Sequence, residues 1–334
     1  MRKRLFGTLP SGEEVYEYFI SSRDISLSVL DFGAAVRTLT VHGIDVAGGF
    51  DRLCDYLDDD SHQGGIVGRV ANRVGGAEFE MDGVIYKLPK NDGENCLHGG
   101  VGFDRRMWHV TEHTEDTLAL EYISADGEEG FPAELAVFVE YRLTNNALVI
   151  DYRAIPSAKT PIALTNHTYF NLDGLSGDVL SHRVAVYADR YTEVDDALIP
   201  TGVRPEVSGT PYDLRELKPI GEAIKALGGI DHNYVLSREA VGTLKYGRVR
   251  HAATVDNGRL TMEVYTDCEG VQLYTGNFLG SGPDFKGGIK QVKHGALCLE
   301  AQSEPNCINS GRGFYDGGEI YRQTTAYEFK KHGL

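Results

Sequence analysis

Alternation of apolar and polar residues with a period of two is the feature that most restricts how this 334-residue chain can fold. It recurs in segments such as 118–123, 147–154 and 259–267, which are separated by turn-forming sequences such as NDGEN, TNN, DNG and SGPD. Successive side chains of a strand point to opposite faces, so each segment predicts a strand with one apolar face. The 40 glycines fit a fold with many turns.

Helical patterns are scarce by comparison. The clearest one covers residues 217–229 and ends at Gly228 and Gly229. Strands and helices do not alternate along the chain, which argues against a parallel α/β sheet. We find no low-complexity linker, composition break or short repeat. The sequence therefore predicts an all-β protein, a single large and mainly antiparallel β-sandwich domain over residues 1–334 with few short helices.

Composition and charge exclude several kinds of partner. The formal net charge of −16 argues against nucleic acid and anionic membranes as partners. Five cysteines without a CxxC pair indicate reduced thiols rather than a disulfide framework or a zinc site. The start MRKRLFGTLP lacks the apolar run of a signal peptide, and no apolar segment of about 18 residues occurs. We expect a soluble cytoplasmic protein.

The segment IALTNHTYFNL, residues 162–172, combines a β-prone apolar run with polar side chains. Read as one strand, it places Asn166 and Thr168 on the same face as its large apolar residues. That face can mostly be buried. The opposite face has the composition of a polar pocket wall, because it carries Thr165, His167, Tyr169 and Asn171.

Five further segments place polar residues within apolar surroundings. They are GRVANRV with Asn72 and Arg73, NCLHGG with His98, GIDHNYVL with Asp231, VQLYTGNF with Gln272, and ALCLEAQ, in which Glu300 shares a face with Gln302. Each segment taken alone favours a structural role, such as an arginine at a strand edge or an aspartate that caps a turn. A carboxylate in so apolar a strand as ALCLEAQ is not typical of a solvated surface charge.

Together these residues indicate a site for a neutral polyhydroxyl ligand. Carboxylates accept hydrogen bonds from hydroxyl groups, arginine and asparagine donate to oxygens, and an aromatic ring can pack on the C–H face of a sugar. His167 and Glu300 are a plausible acid–base pair, because histidine titrates near neutral pH and burial raises the pKa of a glutamate toward it.

The order of these segments makes the chain resemble the aldose 1-epimerase, or mutarotase, family. The resemblance extends from GEEVYEYFI to YRQTTAYEF and includes GRVANRV, LHGGVGFDRRMW, EEGFP, LTNHTYFNL, DRYTEVDDALIPTG, GIDHN, GVQLYTGNF and LCLEAQ. It implies a large antiparallel β-sandwich that interconverts the α and β anomers of free aldohexoses such as glucose and galactose. It implies no metal, redox centre or nucleotide cofactor.

The resemblance also implies roles for individual residues. His167 matches the general acid and Glu300 the general base. The substrate-contacting positions of the family correspond to Asn72, Arg73, His98, Tyr169, Asp231 and Gln272.

Three segments depart from the family pattern. His62 and Gln63 stand where an aromatic residue usually precedes the glycine before GRVANR, Asn306 replaces an aspartate in EPNCIN, and Ala133 follows EEGFP where glycine is common. We expect the first departure to change the rim of the site and hence the preferred sugar.

A glycosidase or a sugar-binding protein could use the same polar residues without anomer exchange. A glycosidase would need two carboxylates, for which Asp231 and Glu300 are the candidates, and their separation would decide the matter. A non-catalytic sugar-binding protein could retain Arg73 and Asp231, but would have little reason to keep both His167 and Glu300.

Two further enzyme classes would require a metal ion or a phosphorylated substrate. A metal-dependent sugar isomerase could use His98, His167 and His232 with Glu300 as ligands, although the closely spaced histidine pair that such sites often have is absent from the sequence. An enzyme for hexose 6-phosphates would need a basic cluster, for which only Arg73, Arg105 and Arg106 are candidates.

Overall fold

The structure is a computed structural model that describes residues 2–237 and 245–333. Its largest element, the large sheet, has nine strands, and every pair of neighbours is antiparallel. In spatial order the strands are His109–His113, Thr117–Ser124, Leu135–Leu143, Ala147–Pro156, Tyr321–Lys331, Leu260–Thr266, Arg250–Asp256, Arg183–Val186 and Lys218–Pro219.

Two five-stranded antiparallel sheets complete the main framework. The N-terminal sheet is a meander of Arg2–Thr8, Glu14–Ser22, Ile25–Leu30, Val36–Val41 and Ile44–Asp45. The second, which we name the site sheet, contains in spatial order Tyr169–Phe170, Leu297–Gln302, Gly270–Tyr274, Asp231–Val235 and Arg190–Tyr191.

Short elements connect these sheets. Four two-stranded ribbons pair Ile66–Val67 with Thr165–Asn166, Arg73–Val74 with Cys96–Leu97, Glu78–Met81 with Val84–Lys87, and Thr160–Pro161 with Phe314–Tyr315. The described α-helices are Leu53–Asp58 and Ile220–Leu227. The described 3₁₀ turns are Gly75–Ala77, Phe103–Arg105, Glu128–Gly130, Lys286–Gly288 and Cys307–Ser310.

The main hydrophobic core lies between the large sheet and the two smaller sheets. One cluster of buried residues takes members from all three, among them Leu27 from the N-terminal sheet, Ile150 from the large sheet and Leu299 from the site sheet. Hydrogen bonds also join the layers, because the Tyr327 hydroxyl donates to the Leu299 carbonyl at 3.1 Å and the Tyr141 hydroxyl to the Ala34 carbonyl at 2.6 Å. Burial of this apolar surface is the main stabilising contribution to the fold.

The architecture confirms the predicted mainly antiparallel β-sandwich with few short helices. Strand Leu135–Leu143 alternates between buried and half-buried residues along its whole length, as a strand with one face on a core should. The core shared by the three sheets supports the single domain expected over residues 1–334. That domain assignment stays a prediction.

The predicted helix at 217–229 is confirmed over a shorter range, Ile220–Leu227. It begins after Pro219, whose fixed φ suits the entry to a helix, and ends at Gly228 in the left-handed conformation with φ of 78°. Asp231 lies beyond this turn and begins a strand of the site sheet, so the interpretation as a turn cap is wrong.

The expectation of one strand over residues 162–172 is wrong. Thr165–Asn166 pairs with Ile66–Val67, whereas Tyr169–Phe170 pairs with the site sheet at Cys298 and Leu297. The Asn166 side chain accepts a hydrogen bond from the Thr168 backbone N–H at 3.2 Å, and such a local bond turns the chain between the two pairings.

The segment GRVANRV combines a short strand with a left-handed residue. Only Arg73–Val74 pairs in a ribbon, and Asn72 has a left-handed backbone with φ of 62°. Asparagine tolerates this conformation better than most residues because its short polar side chain can bond locally. Here the Asn72 side-chain carbonyl accepts the Arg73 N–H at 2.9 Å.

Two further features concern the helices and the cysteines. Neither α-helix in the described ranges is long and apolar enough to span a membrane. All five cysteines lie within the described ranges and are free, in agreement with the predicted reduced thiols.

Candidate active site

The site sheet forms the floor of the candidate active site. Its strands Gly270–Tyr274 and Leu297–Gln302 are buried on both faces. One face supplies the core with alternate residues such as Leu273 and Leu299. The other face carries the polar residues, and Gln272 lies directly opposite Glu300 across the strand pair. The two-residue period thus places a buried carboxylate and an amide side by side.

His167 reaches this floor from the turn between the two short strands. Its backbone is held on both sides, because His167 N donates to the Gly65 carbonyl and the Gly64 N donates to the His167 carbonyl, each at 3.0 Å. The ring Nε2 lies 3.6 Å from Glu300 Oε1, and both side chains are buried. Ring packing against Tyr169, at 5.1 Å between centroids, restricts the imidazole further.

A series of contacting polar and charged side chains borders His167 and Glu300. The Gln272 Nε2 donates to Asp231 Oδ1 at 2.7 Å, and Arg73 Nη1 lies 3.9 Å from Asp231 Oδ2. Arg73 Nε also donates to Asp92 at 2.7 Å, so the guanidinium is anchored between two carboxylates. These contacts fix the Asp231 carboxylate and the Gln272 amide relative to Glu300.

His98 is held in one protonation form by Asn72. The backbone N–H of Asn72 donates to His98 Nδ1 at 3.1 Å, so this nitrogen carries a lone pair and not a proton. Burial, together with the nearby His62 and His167, lowers the pKa of His98 well below its usual value. His98 is therefore neutral with its proton on Nε2, and it offers a hydrogen-bond donor to a ligand oxygen.

The structure brings all eight predicted site residues into one cluster. Direct contacts or neighbouring strand positions connect each residue to the next, and seven of the side chains are buried while Asp231 is half-buried. Tyr169 takes part through its ring, because its hydroxyl donates to the Ser61 carbonyl at 3.1 Å. The catalytic and binding roles of these residues stay predictions.

Burial favours the neutral forms of both members of the His167–Glu300 pair. It raises the pKa of the Glu300 carboxyl well above its usual range, and the negative charge of Asp231 adds to this effect. Burial and the neighbouring His62 lower the pKa of His167 to about 3. Both shifts have the same cause: burial disfavours the carboxylate of Glu300 and the imidazolium of His167.

Two buried oxygen atoms of the floor have no hydrogen-bond partner within the described residues. They are Glu300 Oε2 and Gln272 Oε1, which belong to adjacent side chains. An unpaired buried acceptor costs about 1–3 kcal/mol. Donors from a polyhydroxyl ligand would satisfy both atoms.

His62 was expected at the rim of the site, and the structure shows that its ring also contacts the carboxylate of Asp104. Its Nδ1 lies 2.8 Å from Asp104 Oδ2, and its ring centroid is 4.6 Å from that of His98 and 5.9 Å from that of His167. Asp104 was not a candidate from the sequence, since an aspartate 42 residues away gives no local signal. The other member of the unusual pair, Gln63, is buried with neither side-chain polar atom paired in the described residues.

Cys298 and Tyr274 are two site neighbours that sequence reasoning missed. Cys298 Sγ lies 3.6 Å from His167 Nδ1, and the Tyr274 ring centroid lies 6.3 Å from that of His167. The two-residue period in ALCLEAQ and VQLYTGNF could have found them, because they share faces with Glu300 and Gln272 respectively.

The other two departures from the family pattern, Asn306 and Ala133, each take part in a hydrogen bond with another segment. Asn306 Oδ1 accepts the Gly75 N–H at 3.0 Å. Ala133 has φ of 68°, a left-handed conformation that glycine adopts more readily, and its carbonyl accepts a hydrogen bond from Arg69 at 2.8 Å.

The geometry argues against a metal-dependent isomerase. Ligand atoms of His98, His167 and Glu300 do lie within 4.8 Å of one another. However, the Asn72 N–H occupies the lone pair of His98 Nδ1, and a metal at Nε2 would then require an imidazolate. His232 lies on the other face of its strand and contacts the Tyr212 hydroxyl at 3.1 Å.

The geometry also argues against an enzyme for hexose 6-phosphates. Arg105 donates to backbone carbonyls of the segment 56–59, among them the Leu57 carbonyl at 3.1 Å. Arg106 pairs with Glu128 and Glu129 at 3.0 and 3.1 Å. Neither side chain is available as part of a cluster for a phosphate group.

The fold and the site define a β-sandwich protein with a buried imidazole–carboxylate pair on the polar face of one sheet. The aldose 1-epimerase family model matches residues 17–328. The galactose mutarotases of Rattus norvegicus and Homo sapiens are each 40% identical over 340 residues, with 98% of both chains covered. The aldose 1-epimerase of Escherichia coli is 34% identical over 287 residues, with 82% of both chains covered. The chain belongs to the aldose 1-epimerase family.

Solved structures agree with this assignment. A GalM/aldose epimerase homologue from C. elegans superposes with a TM-score of 0.88 at 27% identity, covering 95% of this chain and 99% of its own. A galactose 1-epimerase from Lactobacillus acidophilus gives a TM-score of 0.87 at 25% identity, with 99% of each chain covered. The prediction of an aldose mutarotase, an isomerase that acts on carbohydrates, is confirmed by these matches.

Proposed function

We propose that this protein catalyses aldose mutarotation with His167 as the general acid and Glu300 as the general base. The observation that carries the assignment is the buried contact of 3.6 Å between His167 Nε2 and Glu300 Oε1. Beside it, Glu300 Oε2 has no partner among the described residues. An acid and a base are thus held together, with one acceptor atom free for substrate.

Ring opening requires two proton transfers, one from His167 to the sugar and one from the sugar to Glu300. Imidazolium His167 donates its Nε2 proton to the ring oxygen O5 while ionised Glu300 takes the proton from the C1 hydroxyl. The C1–O5 bond breaks with its electron pair going to O5, and the C1=O1 bond of the aldehyde forms. After rotation about C1–C2, the same two proton transfers in reverse close the ring on the other face. Each transfer can contribute about 10²–10⁴-fold to the rate.

The productive protonation state differs from the resting state by one internal proton shift. In the free protein the single proton of the pair rests on Glu300, because burial favours both neutral forms. Its transfer to His167 Nε2 creates the imidazolium and the carboxylate. A bound sugar favours this charged state, since its C1 hydroxyl donates to the carboxylate and its O5 accepts from the imidazolium.

The remaining candidate residues would bind and orient the sugar. Asp231 and Gln272 supply acceptors for ring hydroxyls, and Arg73 and His98 supply donors. The contacts among these residues support a preformed site, because the Asp231 carboxylate is already fixed by Gln272 at 2.7 Å. Such preorganisation places the reacting atoms at a low entropic cost. Asn72 would act in part through the His98 ring that it orients.

We infer that the substrate is a free aldohexose such as glucose or galactose and that the protein takes part in hexose metabolism. The net charge of −16 and the engaged Arg105 and Arg106 support an uncharged sugar over a phosphorylated one. Five free cysteines support a reducing cytoplasmic setting.

The function is tested by anomer exchange on freshly dissolved sugars, followed by polarimetry or NMR. We expect catalytic exchange of glucose or galactose, within a panel that also contains xylose and arabinose. Absence of catalysis on every aldose of the panel, with the protein folded, would contradict the proposal. Hydrolysis of aryl glycosides, tested in parallel, would favour a glycosidase.

A further inference from the structure

One strand of the site sheet contacts both nitrogens of the His167 ring. Cys298 and Glu300 are two residues apart in Leu297–Gln302 and therefore share a face. Cys298 Sγ lies 3.6 Å from Nδ1, and Glu300 Oε1 lies 3.6 Å from Nε2. Among the side chains of the described residues, the thiol is a hydrogen-bond partner of Nδ1 that lies within the site.

The proton cycle described above restricts which tautomer His167 can use. Nε2 must alternate between carrying a proton and presenting a lone pair to O5. Nδ1 must therefore keep its proton throughout, and it needs an acceptor in a buried environment. The Cys298 sulfur is a weak acceptor that lies in the required place.

We propose that Cys298 is a positioning residue that accepts the Nδ1–H of His167 and so holds the tautomer in which Nε2 exchanges protons. This inference rests on the proposed function for its consequence in catalysis, but the tautomer itself is a property of the free protein. Cross-strand pairing with Tyr169 and Tyr274 fixes the position of Cys298, so the sulfur does not have to be ordered when sugar binds.

A thiol at this position has a different chemical effect from a carboxylate. A carboxylate beside Nδ1 would stabilise the imidazolium strongly and make it a poorer acid. Burial raises the pKa of the Cys298 thiol well above its usual value, so the sulfur stays uncharged. An uncharged, weak acceptor orients the ring and leaves the imidazolium strongly acidic toward O5.

The tautomer can be measured directly by ¹⁵N NMR on protein labelled at histidine. The His167 signals are assigned by their loss in His167→Asn. We expect Nδ1 to carry the proton in the wild-type protein without sugar at neutral pH. In Cys298→Ala we expect a substantial shift of the population toward the Nε2–H form. A wild-type His167 with its proton on Nε2, or a tautomer unchanged by Cys298→Ala, would overturn the proposal.

Kinetics give a second readout. For Cys298→Ala we expect kcat to fall about tenfold while KM changes less than about twofold, since the acid is misoriented but the sugar contacts remain. Cys298→Ser retains an acceptor. We therefore expect this variant to keep the Nδ1–H tautomer and to retain most of the wild-type kcat. Wild-type kcat in Cys298→Ala, per folded molecule, would also overturn the proposal.

Cys307→Ala is the matched control, because Cys307 is also buried but lies in a separate hydrophobic cluster. We expect it to lower thermal stability as much as Cys298→Ala does, with unchanged kcat and an unchanged His167 tautomer. If the wild-type protein shows no mutarotation, the proposed function fails, whereas the NMR measurement still decides the role of Cys298.

Discussion

Replacement of Glu300 by glutamine should make the protein more stable as well as inactive. Glu300 is 2% exposed, its Oε2 is unpaired in the described structure, and burial raises the pKa of its carboxyl. A carboxyl whose pKa is higher in the folded than in the unfolded state contributes stability below the unfolded value of about 4.3. This contribution is lost as the pH rises toward the folded pKa. Glutamine does not titrate and avoids the loss.

The size of the effect follows from the linkage between proton binding and stability. Between about pH 4.3 and the folded pKa, the folded protein holds one proton on Glu300 that the unfolded chain has released. The stability of the wild type relative to Glu300→Gln then falls by about 1.4 kcal/mol per pH unit. For a chain of 334 residues, that corresponds to roughly 2 °C in Tm per pH unit. The titration of His167 affects both proteins and largely cancels in the difference.

The assay compares the Tm of Glu300→Gln with that of the wild type from about pH 5 to about pH 8 without sugar, a range above the unfolded pKa of the carboxyl. We expect the Tm of the variant to rise relative to that of the wild type as the pH rises. At the alkaline end the variant should have the higher Tm. Glu216→Gln, at an exposed position, serves as the matched control and should show no such trend.

A lower Tm for Glu300→Gln at the alkaline end, or a difference that does not grow with pH, would refute the reasoning. Either result would mean that the carboxylate is stabilised by an ion pair with imidazolium His167 in the resting protein. The proton of the pair would then rest on His167 and not on Glu300.

Three more outcomes follow from the structure. Asp231→Ala should raise KM and lower kcat, with a total loss of about one to two decades in kcat/KM by steady-state polarimetry, because a charged acceptor is removed; wild-type kcat/KM on every aldose would place Asp231 outside the site. His62→Ala should lower the unfolding free energy by about 1–3 kcal/mol in denaturant titration, because Asp104 loses its imidazole partner; we expect the double variant with Asp104→Asn to recover part of this loss, and no loss in the single variant would contradict a stabilising contact between the two side chains. Dialysis against EDTA should leave kcat unchanged, and a loss restored by a divalent metal would support a metal-dependent isomerase instead.

Local periodicity predicted the strands well but not their partners. The segments 147–154 and 259–267 form strands Ala147–Pro156 and Leu260–Thr266 of the large sheet. Both are neighbours of Tyr321–Lys331, a strand that is distant from them in the sequence. Pairing between distant strands depends on the packing of whole layers, and a two-residue pattern carries no information about it.

For the polar segments, the tertiary proximity of the residues was predicted better than their local backbone structure. Their residues lie together in one cluster, yet His167 lies between two short strands where a single strand was expected. Side-chain hydrogen bonds to the backbone, such as Thr168 N–H to Asn166, compete with strand pairing and are not visible in an apolar alternation. The contact of His62 with Asp104 could not be predicted because it depends on tertiary structure alone.

The central claim is that His167 and Glu300 act together as the acid and base of anomer exchange. The most direct test measures kcat per folded molecule for the wild type, His167→Asn, Glu300→Gln and the double variant, by polarimetry on fresh glucose and galactose. We predict that each single variant loses at least about 10²-fold and that the double variant loses little more, because one proton cycle needs both residues. Near wild-type turnover in either folded single variant would contradict the claim.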